Sequence, residues 1–306
     1  MAKKNKKNDD LPEGMSRRQA KLAKRAAERA ALEKDPRPYG GFAAEADLVA
    51  LQEFVPSATA AVEVKGAVRP IRLVTVLPGA AAALVREEKH GGEALVALQV
   101  QARSHNPGRD LAYALKWAAQ AGPGETLMST AADGTQPALV DLLDPATALD
   151  IEVHQDFSWW VPESMAGDAT TVRALQAAND AIVPSHCVDA EVPGAAWWVY
   201  PGGDKAHIRW VRTEDNEERL LAALARIAAR GELNLGEGSR FAGTFRTHGL
   251  VVPVFDLDPA RAHETYAQDL AALNTAIEAE VANEAPLNAE ERKQLQNIKS
   301  RQVTIR

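Results

Sequence analysis

The sequence predicts an α+β protein made of two tandem duplicated units with largely antiparallel sheets, preceded by a basic helical arm. One observation is a repeated segment, since LPGAAAALV at residues 77–85 returns as VPGAAWWVY at residues 192–200. A second is the return of DGTQPALVDLLDPA (133–146) as THGLVVPVFDLDPA (247–260). A third is an apolar helical pattern that recurs 109 positions later, with Leu111 and Leu115 matched by Leu220 and Leu224. Such periodicity indicates an internal duplication.

The chain divides into four segments. Residues 1–41 form the basic arm, 42–162 the first repeat, 163–262 the second repeat, and 263–306 the C-terminal helices and tail. Within the arm, a helix is expected from Ser16 to Lys34, because Ser16 and Gln19 form a capping box ahead of strong helix formers.

Each repeat is expected to follow one order of elements. A short helix comes first, with Leu48 and Leu51 on one face in the first copy and Val172 and Leu175 in the second. Strands then follow a Val-Pro-Ser break and a Pro-Gly turn, and the first copy has an added strand at 71–76. Further strands are expected at 98–101 and 208–211. Short strands clustered around one helix favour α+β units over a doubly wound sheet.

The second half of each repeat contains its central helix. Glycines are expected to end these helices, Gly122 in the first copy and Gly231 in the second. Two strands around a turn, at Gly134 and Gly249, are expected to close each copy. Two helices should follow, one at 263–281 and one that starts at Asn288. The apolar face of the first of them comprises Tyr266, Leu270, Leu273 and Ile277.

Charge is distributed unevenly along the chain. Residues 1–37 contain 12 Lys and Arg against 6 Asp and Glu, whereas the remainder contains 23 basic and 36 acidic residues. The acidic remainder should repel polyanions, so a nucleic-acid contact would have to come from the arm. We expect a cytoplasmic protein, because the start lacks a signal-peptide core and no run approaches the roughly 18 apolar residues of a membrane span.

The arm carries the candidate polyanion-binding residues. Lysine and arginine at helical spacing can neutralise phosphates, which predicts RNA or the ribosome as partner. The alternatives are a solubilising tail with no defined partner, and an acidic protein or a membrane surface. The six candidates are Arg17, Arg18, Lys21, Lys24, Arg25 and Arg29.

Other chemistry-bearing residues form no motif. The seven histidines lie far apart and the single cysteine is Cys187, so neither a metal site nor a cofactor is predicted. His186 and Cys187 would point to opposite faces of a strand, which argues against a thiolate–imidazole pair. The carboxylate pairs, Asp141 with Asp144 and Asp256 with Asp258, are expected to cap or form Asx turns. We predict no catalytic residues, and the sequence identifies no small-molecule ligand.

The tryptophans are expected to be mainly structural. Trp117 and Trp210 should help to fill the two cores. The doublets at 159–160 and 197–198 should each place one indole inward and one outward if they lie on strands. An outward indole could line a binding groove, but filling of the core is the simpler interpretation.

The order of segments resembles an actinobacterial domain-of-unknown-function family, number 5926. The residues that carry this resemblance are the lysine-rich start, LPGA (77–80) with the LQVQ strand (98–101), HQDFSWWV (154–161), HIRWV (207–211), FRTHGLVVPVFDL (245–257) and RQVTIR (301–306). The VPVFD segment is also similar to the edge of SseB-type domains. The resemblance implies no activity. We therefore expect a non-enzymatic adaptor or binding protein whose arm engages a polyanion, the alternative being an enzyme with its site in the cleft between the repeats.

Overall fold

The computed structural model describes residues 16, 18–22, 25–26, 35–130, 136–162 and 168–304. Two six-stranded sheets and several helices make up these ranges, which confirms the predicted α+β class. All strand pairs in the sheets are antiparallel except two, β2 with β4 and β10 with β12. The largely antiparallel character of the sheets is therefore as expected.

The first sheet is formed by residues from the first half of the chain, and we call this sheet with its helices the first unit and the second sheet with its helices the second unit. Its strand order is β5-β3-β4-β2-β1-β6. The strands are β1 (Ala58–Val62), β2 (Ile71–Val74), β3 (Ala83–Val85), β4 (Ala94–Ala97), β5 (Thr126–Leu127) and β6 (Ile151–Val153). The helices of this half are α1 (Glu45–Glu53), α2 (Pro107–Ala118) and α3 (Leu139–Leu142).

The second sheet has the order β12-β10-β11-β9-β8-β7. Its strands are β7 (Ser185–Cys187), β8 (Ala195–Val199), β9 (Ala206–Val211), β10 (Arg240–Thr247), β11 (Leu250–Leu257) and β12 (Val303–Thr304). The helices are α4 (Ala169–Asn179), α5 (Glu217–Ala229), α6 (Ala267–Val281) and α7 (Ala289–Ser300). Because β12 follows α7, the C-terminal end of the described chain extends the second sheet.

The second sheet is buried on both faces. On one face, Ile208, Trp210 and Phe255 share a core with the apolar residues of α5 and α6. On the other, Trp197 and Val252 belong to the core of the first unit, together with Leu51 of α1. Successive residues of a strand point to opposite faces, so β8 and β9 contribute to both cores. The two units therefore share a core, with α1 between them.

Several local expectations are confirmed. Strands follow both Val-Pro-Ser breaks, and β2 is the added strand of the first unit. Both Pro-Gly turns place glycine at positive φ, 66° at Gly79 and 83° at Gly194. Helix α7 begins after Asn288 with the expected capping box to Glu291. On α6 and the turn that precedes it, the four predicted apolar residues are buried, namely Tyr266, Leu270, Leu273 and Ile277.

Other expectations are wrong. The strand expected at 98–101 is β4 at 94–97 instead, because β4 is fully buried beside its parallel neighbour β2. Residues 139–142, expected as part of a strand pair, form α3, while Gly134 lies outside the described residues. Helix α2 ends at Ala118, so Gly122 does not end it, whereas Gly231 has φ 76° directly after the C-cap of α5.

The tryptophan doublets differ from each other. Trp197 on β8 is fully buried and its neighbour Trp198 is half-buried on the opposite face, as expected for a strand. Trp159 and Trp160 lie instead in a single 3-10 turn. Their indole nitrogens donate to Ser57 Oγ and to the carbonyl of Val76, both at 2.9 Å. This turn therefore binds to the start of β1 and the end of β2.

The duplication itself stays a prediction. The strands that precede the central helices, β4 and β9, each lie third from one edge of their sheet, in the orders β5-β3-β4 and β7-β8-β9. The strands that follow the Pro-Gly turns, β3 and β8, lie second from the same edge and pair antiparallel with β4 and β9. The neighbours on the other side differ, because β2 is parallel to β4 and precedes it in the chain, whereas β11 is antiparallel to β9 and follows it. The strand pairs β3-β4 and β8-β9 thus occupy comparable places, and the strands around them do not.

Candidate functional site

The structure places three of the six candidate arm residues. Arg18, Lys21 and Arg25 belong to helical segments and are exposed. Ser16 and Gln19 form the expected capping box, with Ser16 N donating to Gln19 Oε1 at 2.9 Å. Arg17, Lys24 and Arg29 lie outside the described residues. The described cations of the arm are therefore free to meet a partner from solvent.

The arm joins the body through residues 35–39. Arg37 donates to Glu45 Oε1 at 2.6 Å in the first unit, and to Asp215 Oδ1 at 2.5 Å in the second. Its guanidinium also donates to the carbonyl of Thr213 at 2.9 Å. The side chain of Tyr39, at 1% exposure, is part of the shared core. Residues 37 and 39, which the sequence-based division assigns to the arm, thus pack on the body.

Two glycines leave room for this joint. A Cβ atom at Gly249 would lie 2.3 Å from the carbonyl oxygen of Pro36, and one at Gly108 would lie 2.6 Å from that of Pro38. Real Cβ atoms do not approach oxygen so closely, so only glycine allows the joint to lie against the β10–β11 turn and the start of α2. The arm therefore leaves the body at a fixed point.

That point is the mouth of a cleft of about 1010 Å³, which we call the interunit cleft. Asp35 and Pro36 line it, so the arm begins at its edge. The residues of the first unit that line it include Glu53, Arg103 and His105, and those of the second include Arg246, His248 and Thr304. The cleft thus holds titratable groups from both units.

A buried network crosses this cleft. His248 Nε2 lies 2.7 Å from Glu53 Oε1, and Arg103 Nη1 lies 3.3 Å from the same oxygen. The side chains of Glu53 and His248 are only 7% and 10% exposed. Burial raises the pKa of Glu53, but the hydrogen bond from His248 and the charges of His248 and Arg103 outweigh it, so the net pKa lies below its ordinary value of 4.5. Glu53 is therefore ionised at neutral pH.

The backbone of the β10–β11 hairpin presents His248 to Glu53. His248 and Gly249 form the two-residue turn and both have positive φ, 49° and 79°, the signature of a type I′ turn. Histidine is enriched among the non-glycine residues that adopt this conformation. His248 therefore serves the hairpin turn and in addition directs its ring across the cleft.

The remaining sequence candidates have local roles. Asp141 accepts from the backbone of Ala138 at 3.0 Å, and Asp144 from that of Ala146 at 3.0 Å. Asp258 accepts from Ala260 N at 2.9 Å, and these bonds are the predicted cap and Asx turns. Asp256 differs, because it pairs with Lys205 at 3.0 Å and Arg240 at 2.9 Å.

His186 and Cys187 have separate surroundings, as their adjacent positions on β7 require. His186 stacks on His263 at a centroid distance of 4.2 Å. Although Cys187 as a whole is exposed, desolvation raises the pKa of its thiol to about 11, and the charges of Asp47 and Asp189 add to the effect. The thiol is thus protonated at neutral pH, which leaves it a weak nucleophile. Across the described ranges, no cluster of three or more His, Cys, Asp or Glu could hold a metal ion.

The family model described as "Family of unknown function (DUF5926)" matches residues 38–306. The chain belongs to this family. The match begins at the joint, so the basic arm precedes the part that defines the DUF5926 family. Comparisons with curated proteins and with solved structures give no match. Among the described helices, none is both long and apolar enough to cross a membrane.

Sequence reasoning missed the residues of the cleft. Glu53, Arg103 and His248 come from distant segments, and no spacing rule connects them. The one available signal was the sequence HG between two apolar runs, which indicates a hairpin turn. It cannot indicate what the histidine touches.

Proposed function

We propose that this protein is a non-enzymatic binding protein that uses its basic arm and the mouth of the interunit cleft to hold a polyanion, with single-stranded RNA, free or ribosomal, as the expected class. The observation that supports the proposal is the position of the arm. The exposed cations Arg18, Lys21 and Arg25 precede a joint whose residues Asp35 and Pro36 line the same cleft as Arg103 and Arg246.

Electrostatics restrict where a polyanion could bind. The chain after residue 37 has 13 more acidic than basic residues, so most of its surface repels phosphates. Arg103 and Arg246 still expose 35% and 44% of their side chains, although each has a carboxylate partner. The arm and these two arginines would therefore form one cationic surface, and affinity would come mainly from counterion release.

The test is fluorescence anisotropy with a labelled single-stranded polyuridylate. The triple variant Arg18→Glu, Lys21→Glu, Arg25→Glu should bind at least about fiftyfold more weakly in 0.15 M salt, from the loss of three phosphate contacts. The control reverses three exposed cations of α7, at Arg292, Lys293 and Lys299, and changes net charge equally. We expect it to stay within about twofold of wild type, because α7 lies outside the proposed surface. An equal loss of RNA affinity in the arm variant and in the α7 control would mean that net charge alone causes the loss. That result would reject the arm as the binding site.

A second candidate is an enzyme whose site lies in the interunit cleft. It is favoured by one observation, that Glu53 and Arg103 of one unit and His248 of the other meet there. An imidazole held by a buried carboxylate is the arrangement of a general base. Hydrolysis of p-nitrophenyl acetate or bis(p-nitrophenyl) phosphate that disappears in both Glu53→Gln and His248→Gln would support it. Rates equal to those of wild type would exclude this pair as the catalytic group.

A further inference from the structure

A second cavity, of about 410 Å³, lies against the second sheet beside the end of α1. Its floor includes His207 and Arg209, which alternate along β9 with the core residues Ile208 and Trp210. They therefore point to the sheet face that looks toward the first unit. We call this space the sheet cavity. Among the described residues that line the two spaces, Glu53 is the one that lines both.

We propose that the sheet cavity binds a small organic monocarboxylate with an apolar body, and that Arg209 holds its carboxylate. Within residues 168–304, the other partly or fully buried arginines have polar partners. Arg212 pairs with Glu214, and Arg226 lies 3.7 Å from Glu280. In the same range, Arg209 has neither an ion pair nor a hydrogen bond from its side chain. Two other arginines of this range, Arg173 and Arg301, also lack such a partner, but both are exposed. Arg301 lines the same cavity, where it adds a second positive charge.

An unpaired guanidinium in a half-buried position is costly, because desolvation disfavours its charge. Burial accordingly lowers the pKa of Arg209. The ring of Phe54 lies against this guanidinium, with its centroid 5.3 Å from Arg209 Cζ. An incoming anion would supply the missing charge, and the planar fork of arginine matches a carboxylate with two parallel hydrogen bonds.

The walls of the cavity are largely apolar, so we expect the anion to carry an apolar body. Phe54 and Phe245 meet edge to face at 6.4 Å, and Val254 and Val303 line the same space. Small-molecule sites of this size are typically apolar with a few polar groups that fix orientation. An aromatic or short aliphatic chain fits these walls, with its carboxylate against Arg209.

The charge of the ligand is limited by two carboxylates in the lining, Glu53 and Asp256. Burial raises the pKa of Asp256, but its hydrogen bonds with Lys205 and Arg240 and the charge of His207 bring the net value below the ordinary one. Both carboxylates are thus ionised at neutral pH and would repel a phosphate dianion more than a monoanion. This difference favours a monocarboxylate.

The test is isothermal titration calorimetry on the full chain with 3-phenylpropionate, the neutral 3-phenylpropionamide and inorganic phosphate. We expect the acid to bind at least about tenfold more tightly than the amide, since only the acid can form a charge-assisted pair with Arg209. Inorganic phosphate should show no binding at the concentration at which 3-phenylpropionate saturates the protein. Equal binding of acid and amide, tighter binding of phosphate, or no binding of the acid at 10 mM would overturn the proposal.

Variants test the role of the guanidinium. Arg209→Gln should weaken binding of 3-phenylpropionate about tenfold or more while leaving the amide unchanged. The matched control is Arg219→Gln, because Arg219 is a half-exposed residue paired with Glu284 on the surface. If Arg209→Gln fails to fold, the comparison of 3-phenylpropionate with its amide in the wild-type protein is sufficient to test whether the cavity binds a carboxylate. Unchanged affinity in a folded Arg209→Gln would place the carboxylate elsewhere.

Discussion

His248 Nε2 lies 2.7 Å from Glu53 Oε1, although 195 positions separate the two residues. Glu53 is the last residue of α1, in the first unit, and His248 lies in the turn of the β10–β11 hairpin. With Arg37, which binds both Glu45 and Asp215, this pair joins the two units at the edge of their shared core. The same two links also surround the point where the basic arm leaves the body.

The ionised form of Glu53 should stabilise the fold. Its folded pKa lies below its ordinary value of 4.5, so the contribution is complete above about pH 5 and is lost as the pH falls through the folded pKa. Glu53→Gln should therefore cost about 2 kcal/mol at pH 7, and this cost should shrink toward pH 4. Urea unfolding at pH 7, 5 and 4 measures it. A cost independent of pH would contradict the assigned ionisation.

Asp47 is a control for Glu53, because the pH dependence of its contribution to stability has the opposite sign. Burial raises its pKa from 3.8 to about 6, so its charged form is disfavoured in the folded state. The stabilising contribution of the protonated Asp47 is complete at low pH and is lost as the pH rises from about 4 through 6. Asp47→Asn should therefore become more stable than wild type over that window, in the same unfolding series. If the free energy of unfolding changed with pH in the same way in Asp47→Asn as in Glu53→Gln, neither pH dependence would come from the substituted carboxylate.

Gly249 should tolerate no side chain. Alanine there would have to keep φ near 79° and would place its Cβ 2.3 Å from Pro36 O. Gly203 is a matched control, with φ 88° and no atom within 4 Å of the added Cβ. We expect Gly203→Ala to cost about 1 kcal/mol from the left-handed backbone alone, and Gly249→Ala about 2 kcal/mol more from the clash. Equal melting temperatures of the two variants would mean that residues 35–39 do not lie against the turn.

Trp210 should be the more costly of two tryptophans to remove. It is fully buried, its indole nitrogen donates to the carbonyl of Pro193 at 3.0 Å, and Arg212 lies over its ring. Trp210→Ala should cost about 3–5 kcal/mol. Trp117 on α2 is only partly buried against the first core, so Trp117→Ala should cost clearly less. Thermal unfolding of both variants checks the order, and a reversed order would contradict the described cores.

Local chemistry explains which parts of the fold could be predicted. Capping boxes at Ser16 and Asn288 and positive φ at Gly79 and Gly194 depend on neighbouring residues, and the sequence contains them. The register of β4 depends on a partner from another segment. The sequence LQVQ at 98–101 alternates like a half-exposed strand, whereas ALVA at 94–97 is buried on both faces beside β2. Alternation alone therefore selected the wrong residues.

The candidate sites could be predicted only in part. The cations of the arm form a contiguous run, which is visible in any sequence. Arg209 gives no such signal, because it alternates with apolar residues in HIRWV like any exposed strand residue. Its importance comes from the absence of a carboxylate opposite it within the described ranges, and from Phe54 of the other unit. Both depend on tertiary packing.

The central claim is that the arm binds a polyanion, and the salt dependence of RNA binding tests it most directly. The log of the association constant for labelled polyuridylate should fall with log salt at about −0.7 for each phosphate contacted, hence a slope near −3 to −4 for four to six contacts. Deletion of residues 1–34 should leave the melting temperature unchanged, since the described arm side chains, such as Leu22 at 57% exposure, bury little surface. The same deletion should reduce the magnitude of the slope to about 1.4 or below, which is the value for two phosphate contacts by Arg103 and Arg246 alone. An unchanged slope and affinity after deletion would contradict the claim and would place binding on the acidic body.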